Sequence, residues 1–264
     1  MPRRIVIHAG FHKTGTSSVQ QVLRTNRPLL KPWMRSLLKG AMTDLTHAAR
    51  GYSTWRDPLT LVKFSRRFEA LISEHANMPR RTLCLSAEEL AGHLPGRDTV
   101  ADYSAAPALA LEMARIASQV HPRAELVFFY STRAPDPWLR SAYWEHVKSS
   151  SLTLDWDDFS AAYAGAADLD RMVDDIASAL PHEVRRNRLE DSATLDAGPA
   201  TPVLDLCGVP RDVLGTLALP APANEQQDKA VLLDLLAANR NYPDRDARHN
   251  AKRAILKAAQ EDNR

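Results

Sequence analysis

The sequence predicts an α/β fold in three layers, a central parallel β-sheet flanked by helices, and three stretches carry that prediction. Residues 4–23 (RIVIHAGFHKTGTSSVQQVL), 81–94 (RTLCLSAEELAGHL) and 125–149 (ELVFFYSTRAPDPWLRSAYWEHVKS) each join a short apolar run to a polar turn. Helical spacing follows the turn in the first and third, as in strands that alternate with helices around a parallel sheet. AAPALALEMARIASQV at 105–120 has the apolar stripe of a helix that covers one sheet face. With 264 residues and 44% hydrophobic content, the chain can bury a proper core, and a single domain over 1–264 is expected.

The first stretch sets the chemistry. Ile5, Val6 and Ile7 form a β-branched strand, Gly10 and Gly15 bracket FHKT, and a helix begins at Thr16 with Val19, Val22 and Leu23 at helical spacing. The glycines give the turn backbone freedom and let it approach a ligand closely. The first turn of a helix presents unpaired N–H groups and the positive end of its dipole, which together bind an anion. Lys13 adds a full charge, and Thr14, Thr16, Ser17 and Ser18 add hydroxyls, so the stretch reads as a phosphate cradle. A Walker A loop places lysine directly after its second glycine, but Thr16 stands there and Lys13 precedes Gly15, which weighs against an ordinary ATPase or kinase. The dinucleotide pattern G-x-G-x-x-G is also absent.

The rest of the chain follows in order. The first acidic residue is Asp44, after Arg3, Arg4, Lys13, Arg24, Arg27, Lys31, Arg35 and Lys39, an asymmetry that suits an anionic ligand despite a net charge of only +2. Residues 24–80 read as helical patches broken at Pro28, Pro32, Pro58 and Pro79, clearest at 59–76, an elaboration able to shape an acceptor pocket near Trp33, Tyr52 and Trp55. After the strand at 82–86, Ser86, Glu88 and Glu89 fall at the carboxyl edge of the sheet, where ligands of parallel sheets bind. Arg133 follows the third strand and Ser141 lies eight residues later on the next helix. His146 and Lys148 on that helix are read as facing solvent. The aspartates between 151 and 180 read as helix caps and solvated faces, and 150–180 as a second helical elaboration. EVRRNRLED at 183–191 reads as a last strand, and residues 244–264 as a helix with a solvated basic face. Cys84 and Cys207 are expected to be buried free thiols. The apolar run after Arg4 is too short for a signal peptide and no run reaches membrane-span length, so a cytoplasmic location is expected, with no nucleic-acid partner.

Together, these residues resemble a known family. HKTGTSS resembles the loop that holds the 5′-phosphosulfate in sulfotransferases using 3′-phosphoadenosine 5′-phosphosulfate (PAPS), and IHAGFHKTGTSSVQ is close to the phrase IHxGxHKTGTTSLQ of their bacterial, glycan-type members. R-x-P-x-x-W-x-x-S-x-Y, from Arg133 to Tyr143, resembles the family's clamp on the ribose 3′-phosphate. The resemblance implies a P-loop-like sulfotransferase fold and transfer of a sulfuryl group from PAPS to an acceptor hydroxyl or amine on a small molecule or glycan, with adenosine 3′,5′-bisphosphate (PAP) as product and no metal. It implies that Lys13 stabilises the leaving phosphate and that Glu88, after a serine-x-glutamate phrase, takes the acceptor proton, with His12 as second choice. Lys13, Thr14, Gly15, Thr16, Ser17, Ser18, Arg133 and Ser141 would bind the nucleotide. The match loosens toward the C-terminus: the family's tyrosine is missing near 183–191, and in its N-E-S phrase Asn224 and Glu225 match while Gln226 replaces the serine. A P-loop nucleotide kinase and a non-catalytic nucleotide-binding protein are the alternatives.

Overall fold

The computed structural model describes residues 1–262 except Pro79 and 221–227. It is an α/β fold built on a five-stranded, all-parallel sheet in the order β2-β3-β1-β4-β5. In chain order, β1 (Arg4–His8), α1 (Thr16–Thr25) and α2 (Arg27–Leu30) lead to β2 (Met34–Leu38). The hairpin of α3 (Thr43–Trp55) and α4 (Pro58–Ser73) precedes β3 (Thr82–Ser86), α5 (Ala106–Val120) and β4 (Glu125–Thr132). Next come α6 (Pro135–Ser149), α7 (Trp156–Tyr163), α8 (Leu169–Ala179) and β5 (Glu183–Arg188). The described chain closes with α9 (Thr201–Leu206), α10 (Arg211–Leu214), α11 (Lys229–Asn241) and α12 (Arg245–Asp262).

The alternation of side chains along each strand divides the core into two layers. On one face Val6, Cys84 and Phe129 pack against Val19, Val22 and Leu23 of α1 and against Val203, Leu204 and Leu214 of α9 and α10. On the other, Ile5, Ile7, Leu83, Leu85, Phe128 and Tyr130 lie under Ala49, Phe64, Phe68, Leu109, Met113 and Ile176, from α3, α4, α5 and α8. Both cysteines are buried and free, and both belong to the α1 layer.

The position of β1 places the site. The chain leaves β1 toward β2 on one side and leaves β4 toward β5 on the other, so the strand order reverses between β1 and β4. The crevice at the carboxyl ends of such a strand pair is where open parallel sheets take ligands. The loops after β1, β3 and β4 all open onto that edge.

Two readings from the sequence need correction. Residues 24–80 contain a strand, β2, in addition to helices: it pairs with β3 from Met34↔Thr82 to Leu38↔Ser86. MRSLL buries only Met34 and Leu37, so it shows neither alternation nor a β-branched run, and its strand state comes from the edge of β3. In the 150–180 segment, α8 contributes Leu169, Val173 and Ile176 to the core and covers the sheet, while Asp155 and Asp168 do cap α7 and α8. Trp55 is 72% exposed, outside the packed core. No helix among the described residues is long and apolar enough to cross a membrane.

Candidate functional site

The site begins with a histidine that joins three strands. His8 ends β1 fully buried, its Nδ1 2.9 Å from Ser86 Oγ on β3 and its Nε2 3.0 Å from Ser131 Oγ on β4. Burial lowers its pKa to about 3, so the ring is neutral, accepting from one serine and donating to the other. Gly10 must follow, because a Cβ there would stand 2.8 Å from Thr16 Oγ1 and 2.9 Å from His8 Nε2.

Two consecutive reversals then fold the loop onto the helix. Lys13 has φ 67° and Gly15 φ 91°, and a side chain at Gly15 would also meet Leu189 Cδ1 at 2.7 Å. A lysine in the left-handed region is uncommon and persists only where the surroundings hold it. Here they do: Thr14 Oγ1 donates to the Phe11 carbonyl (2.6 Å), Trp138 Nε1 to the His12 carbonyl (2.9 Å), and Arg133 Nη1 to the Lys13 carbonyl (3.2 Å). The His12 N–H donates to Tyr103 Oη at 3.1 Å. The Gly15 carbonyl accepts first from Ser18 and Val19, at 3.0 and 3.2 Å, which leaves the amides of Thr16 and Ser17 ahead of the α1 ladder.

The nucleotide-binding candidates divide by what they already bond. Thr14 spends its hydroxyl inside the loop. Thr16 Oγ1 is buried with no partner among the described residues, and Arg133 Nε is likewise, with Glu190 Oε1 3.8 Å away. Ser17 is exposed and Ser18 partly buried at the same helix turn. Ser141 is nearly buried on α6, the helix whose Trp138 grips the loop. Lys13 Nζ rests 3.1 Å from Glu145 Oε2. Burial alone would raise the Glu145 pKa, but Lys13, the Ser149 hydroxyl and Lys148 together bring it to about 2.

On the other side of His12, the candidate bases converge. His12, Glu88 and Glu89 each bring one ligand-type atom into a group whose members lie within 4.8 Å of one another. His12 is held neutral with a pKa of about 3, by burial first, with Glu89 opposing and His93, Lys39 and Arg50 reinforcing the shift. Glu88 accepts from Gln20 Nε2 at 3.2 Å and stands 3.6 Å from Lys39 Nζ. Glu89 is almost wholly enclosed, bonded to Lys39 through Oε1, and its Oε2 has no partner among the described residues. This donor set could hold a metal ion, although the Lys39 ammonium already supplies positive charge to both carboxylates.

Sequence reasoning missed Tyr103 and Glu145, and read Lys39 only as one of a basic N-terminal run. Each joins the site through a contact that spans tens of residues or more, and nothing local marks it. It also misread His146, which is fully buried, with Nε2 2.7 Å from the Pro95 carbonyl and a Cβ on Gly96 reaching to 2.8 Å of the same atom. The loop at 94–97 covers that face of α6, and burial lowers the His146 pKa to about 4. Lys252 on α12 is also buried, its ammonium donating to the Ser150 carbonyl at 2.5 Å. Asn224, Glu225 and Gln226 lie outside the described residues. Compared with known proteins, the chain matches no protein-family model, no curated protein and no solved structure.

Proposed function

We propose that this chain is a sulfotransferase that moves a sulfuryl group from PAPS to an acceptor hydroxyl or amine. The observation that carries the reading is the hydrogen bond from Arg133 to the Lys13 carbonyl, because it joins two motifs 120 residues apart into one site. Two buried polar atoms without hydrogen-bond partners among the described residues, Thr16 Oγ1 and Arg133 Nε, support the reading, since each can donate to an oxygen-rich ligand group. Their donor character suits a nucleotide with phosphates at both ribose positions.

In this reading the Thr16 and Ser17 amides, the Thr16 hydroxyl and the Lys13 ammonium hold the 5′-phosphosulfate, and Arg133 and Ser141 hold the 3′-phosphate. Bound PAPS supplies an activated sulfuryl group: a bond forms between the acceptor atom and sulfur while the bond from sulfur to the 5′-phosphate oxygen breaks, and that oxygen leaves with the electron pair. Lys13 offsets the charge that develops on the leaving oxygen. Glu88 takes the acceptor proton, since its carboxylate is partly accessible whereas that of Glu89 is enclosed and bound to Lys39. The neutral His12 ring lies beside both carboxylates, the second choice of base.

The test is calorimetric binding of PAP against ATP and AMP, on the wild type and on Arg133→Ala. The expected result is tight PAP binding, weak AMP binding, and a loss in the variant of roughly thirtyfold, about 2 kcal/mol for a charge-assisted pair. A preference for ATP, or indifference to Arg133, returns the chain to a P-loop kinase or a generic nucleotide binder.

A further inference from the structure

Strands β1 and β3 end level with each other, His8 paired with Ser86, so the turns that follow them leave the sheet side by side. One turn carries His12, and the other carries Glu88 and Glu89. A ligand-type atom from each of the three lies within 4.8 Å of the other two.

Each of these side chains has one polar atom tied to a protein group. His12 Nδ1 lies 3.2 Å from Tyr103 Oη, Glu88 Oε2 accepts from Gln20 Nε2 at 3.2 Å, and Glu89 Oε1 is bonded to the Lys39 ammonium. The second polar atom of each is not tied. Glu89 Oε2 is buried with no hydrogen-bond partner among the described residues, on a side chain only 2% exposed. Glu88 Oε1 has Lys39 Nζ at 3.6 Å, beyond hydrogen-bond length, and among the described residues the His12 ring bonds through Nδ1 alone. A buried carboxylate oxygen without a donor loses its hydration and gains nothing in exchange. Lys39 does not relieve it, because it meets Glu89 through the other oxygen.

We infer that His12, Glu88 and Glu89 form a binding site for one divalent transition-metal ion of the zinc class. Metal-ligating side chains characteristically have one atom fixed by an outer partner and the other turned to the ion, and Tyr103, Gln20 and Lys39 are the outer partners here. Tyr103 Oη accepts from the His12 N–H and can accept from Nδ1–H as well, the tautomer that leaves a lone pair on Nε2. One imidazole nitrogen and two carboxylate oxygens suit zinc and leave a fourth position to water, whereas magnesium and calcium take oxygen ligands. Ligand atoms about 2.1 Å from zinc stand roughly 3.4 Å apart in a tetrahedron, so the three draw together as the ion enters. Glu88 and His12, both partly exposed, have room to rotate. The site stands apart from the sulfotransferase reading, in which Glu88 acts as base without an ion on it.

The test is calorimetric titration of zinc chloride, and separately of magnesium chloride, into the chelator-treated full chain. It compares the wild type with His12→Ala, Glu88→Gln, Glu89→Gln and His249→Ala, each shown folded by its melting transition. His249, exposed on α12, controls for zinc taken up by a surface imidazole. The wild type and His249→Ala are expected to bind one zinc per chain and no magnesium, and the other three variants to bind zinc at least tenfold more weakly. Glu88 is the less buried carboxylate, so Glu88→Gln carries the test if Glu89→Gln does not fold. No zinc binding, zinc affinity that survives Glu88→Gln, an equal loss in His249→Ala, or magnesium bound as tightly as zinc overturns the inference. PAP titrations on the same preparations separate it from the donor reading. PAP binding without zinc binding sinks only the metal site. Zinc binding without PAP binding sinks the donor reading and leaves the metal site standing.

Discussion

Two lysine–glutamate pairs flank the site, and they differ in what happens to the glutamate when the lysine leaves. Lys13 and Glu145 meet at 3.1 Å with both side chains about a quarter exposed, 28% and 25%. Glu145 has other partners: Lys148 at 3.4 Å and the Ser149 hydroxyl at 2.8 Å. Lys39 by contrast bonds a Glu89 side chain only 2% exposed, whose second oxygen already lacks a partner. Removing Lys13 leaves Glu145 bonded and hydrated; removing Lys39 strands a buried carboxylate. The first pair is therefore exchangeable, so a phosphate can take the lysine, while the second is a fixed part of the fold.

The largest effect that would sharpen this contrast is on turnover. Lys13→Ala is expected to lower the transfer rate by roughly 10²–10³-fold, the cost of removing one charge-stabilising donor, while leaving the urea midpoint nearly unchanged. A variant that transfers at the wild-type rate would remove Lys13 from the chemistry. Lys39→Ala should do the reverse to stability, costing about 2–3 kcal/mol in urea unfolding because Glu89 loses its counter-charge. A cost near zero would mean that Glu89 is protonated or hydrated and that the two pairs are alike.

The next effect is in the acid limb. Glu145 has a folded pKa of about 2, below its ordinary value of 4.5, so its contribution is fully present above pH 4.5 and is lost as pH falls from there toward 2. Wild type should lose about 1 kcal/mol more than Glu145→Gln over that window, measured by urea unfolding at fixed pH steps, and superimposable profiles would refute it. The smallest effect is on binding. Glu145→Gln frees Lys13 and is expected to tighten PAP by about threefold, a gain screened by salt, and a weakened PAP affinity would show that Glu145 helps to build the cradle.

The two halves of the site were unequally legible. HKTGTSS, Arg133 and Ser141 were readable because a strand-to-helix loop and a post-strand arginine are local patterns with local physical causes. Glu88 and His12 were readable from their place after a strand. Lys39 lies in a short turn after an edge strand, so it carries no pattern of its own. Tyr103 and Glu145 acquire meaning only through contacts to His12 and Lys13, 91 and 132 residues away. In the fold, β1, β3 and β4 announced themselves as apolar runs buried on both faces. β2 did not, because an edge strand that buries Met34 and Leu37 alone owes its conformation to the neighbour it pairs with.

The sequence by itself determined the alternation of strands and helices, the parallel sheet and the glycine-bracketed turn before α1, since these follow from periodicity, glycine placement and unpaired amides within a few residues of one another. Only the tertiary structure decided which charges meet. It set Lys13 against Glu145 and Lys39 against Glu89. Electrostatic partnership depends on distance and burial in space, and side chains far apart in the chain come within reach only after the layers have packed on the sheet.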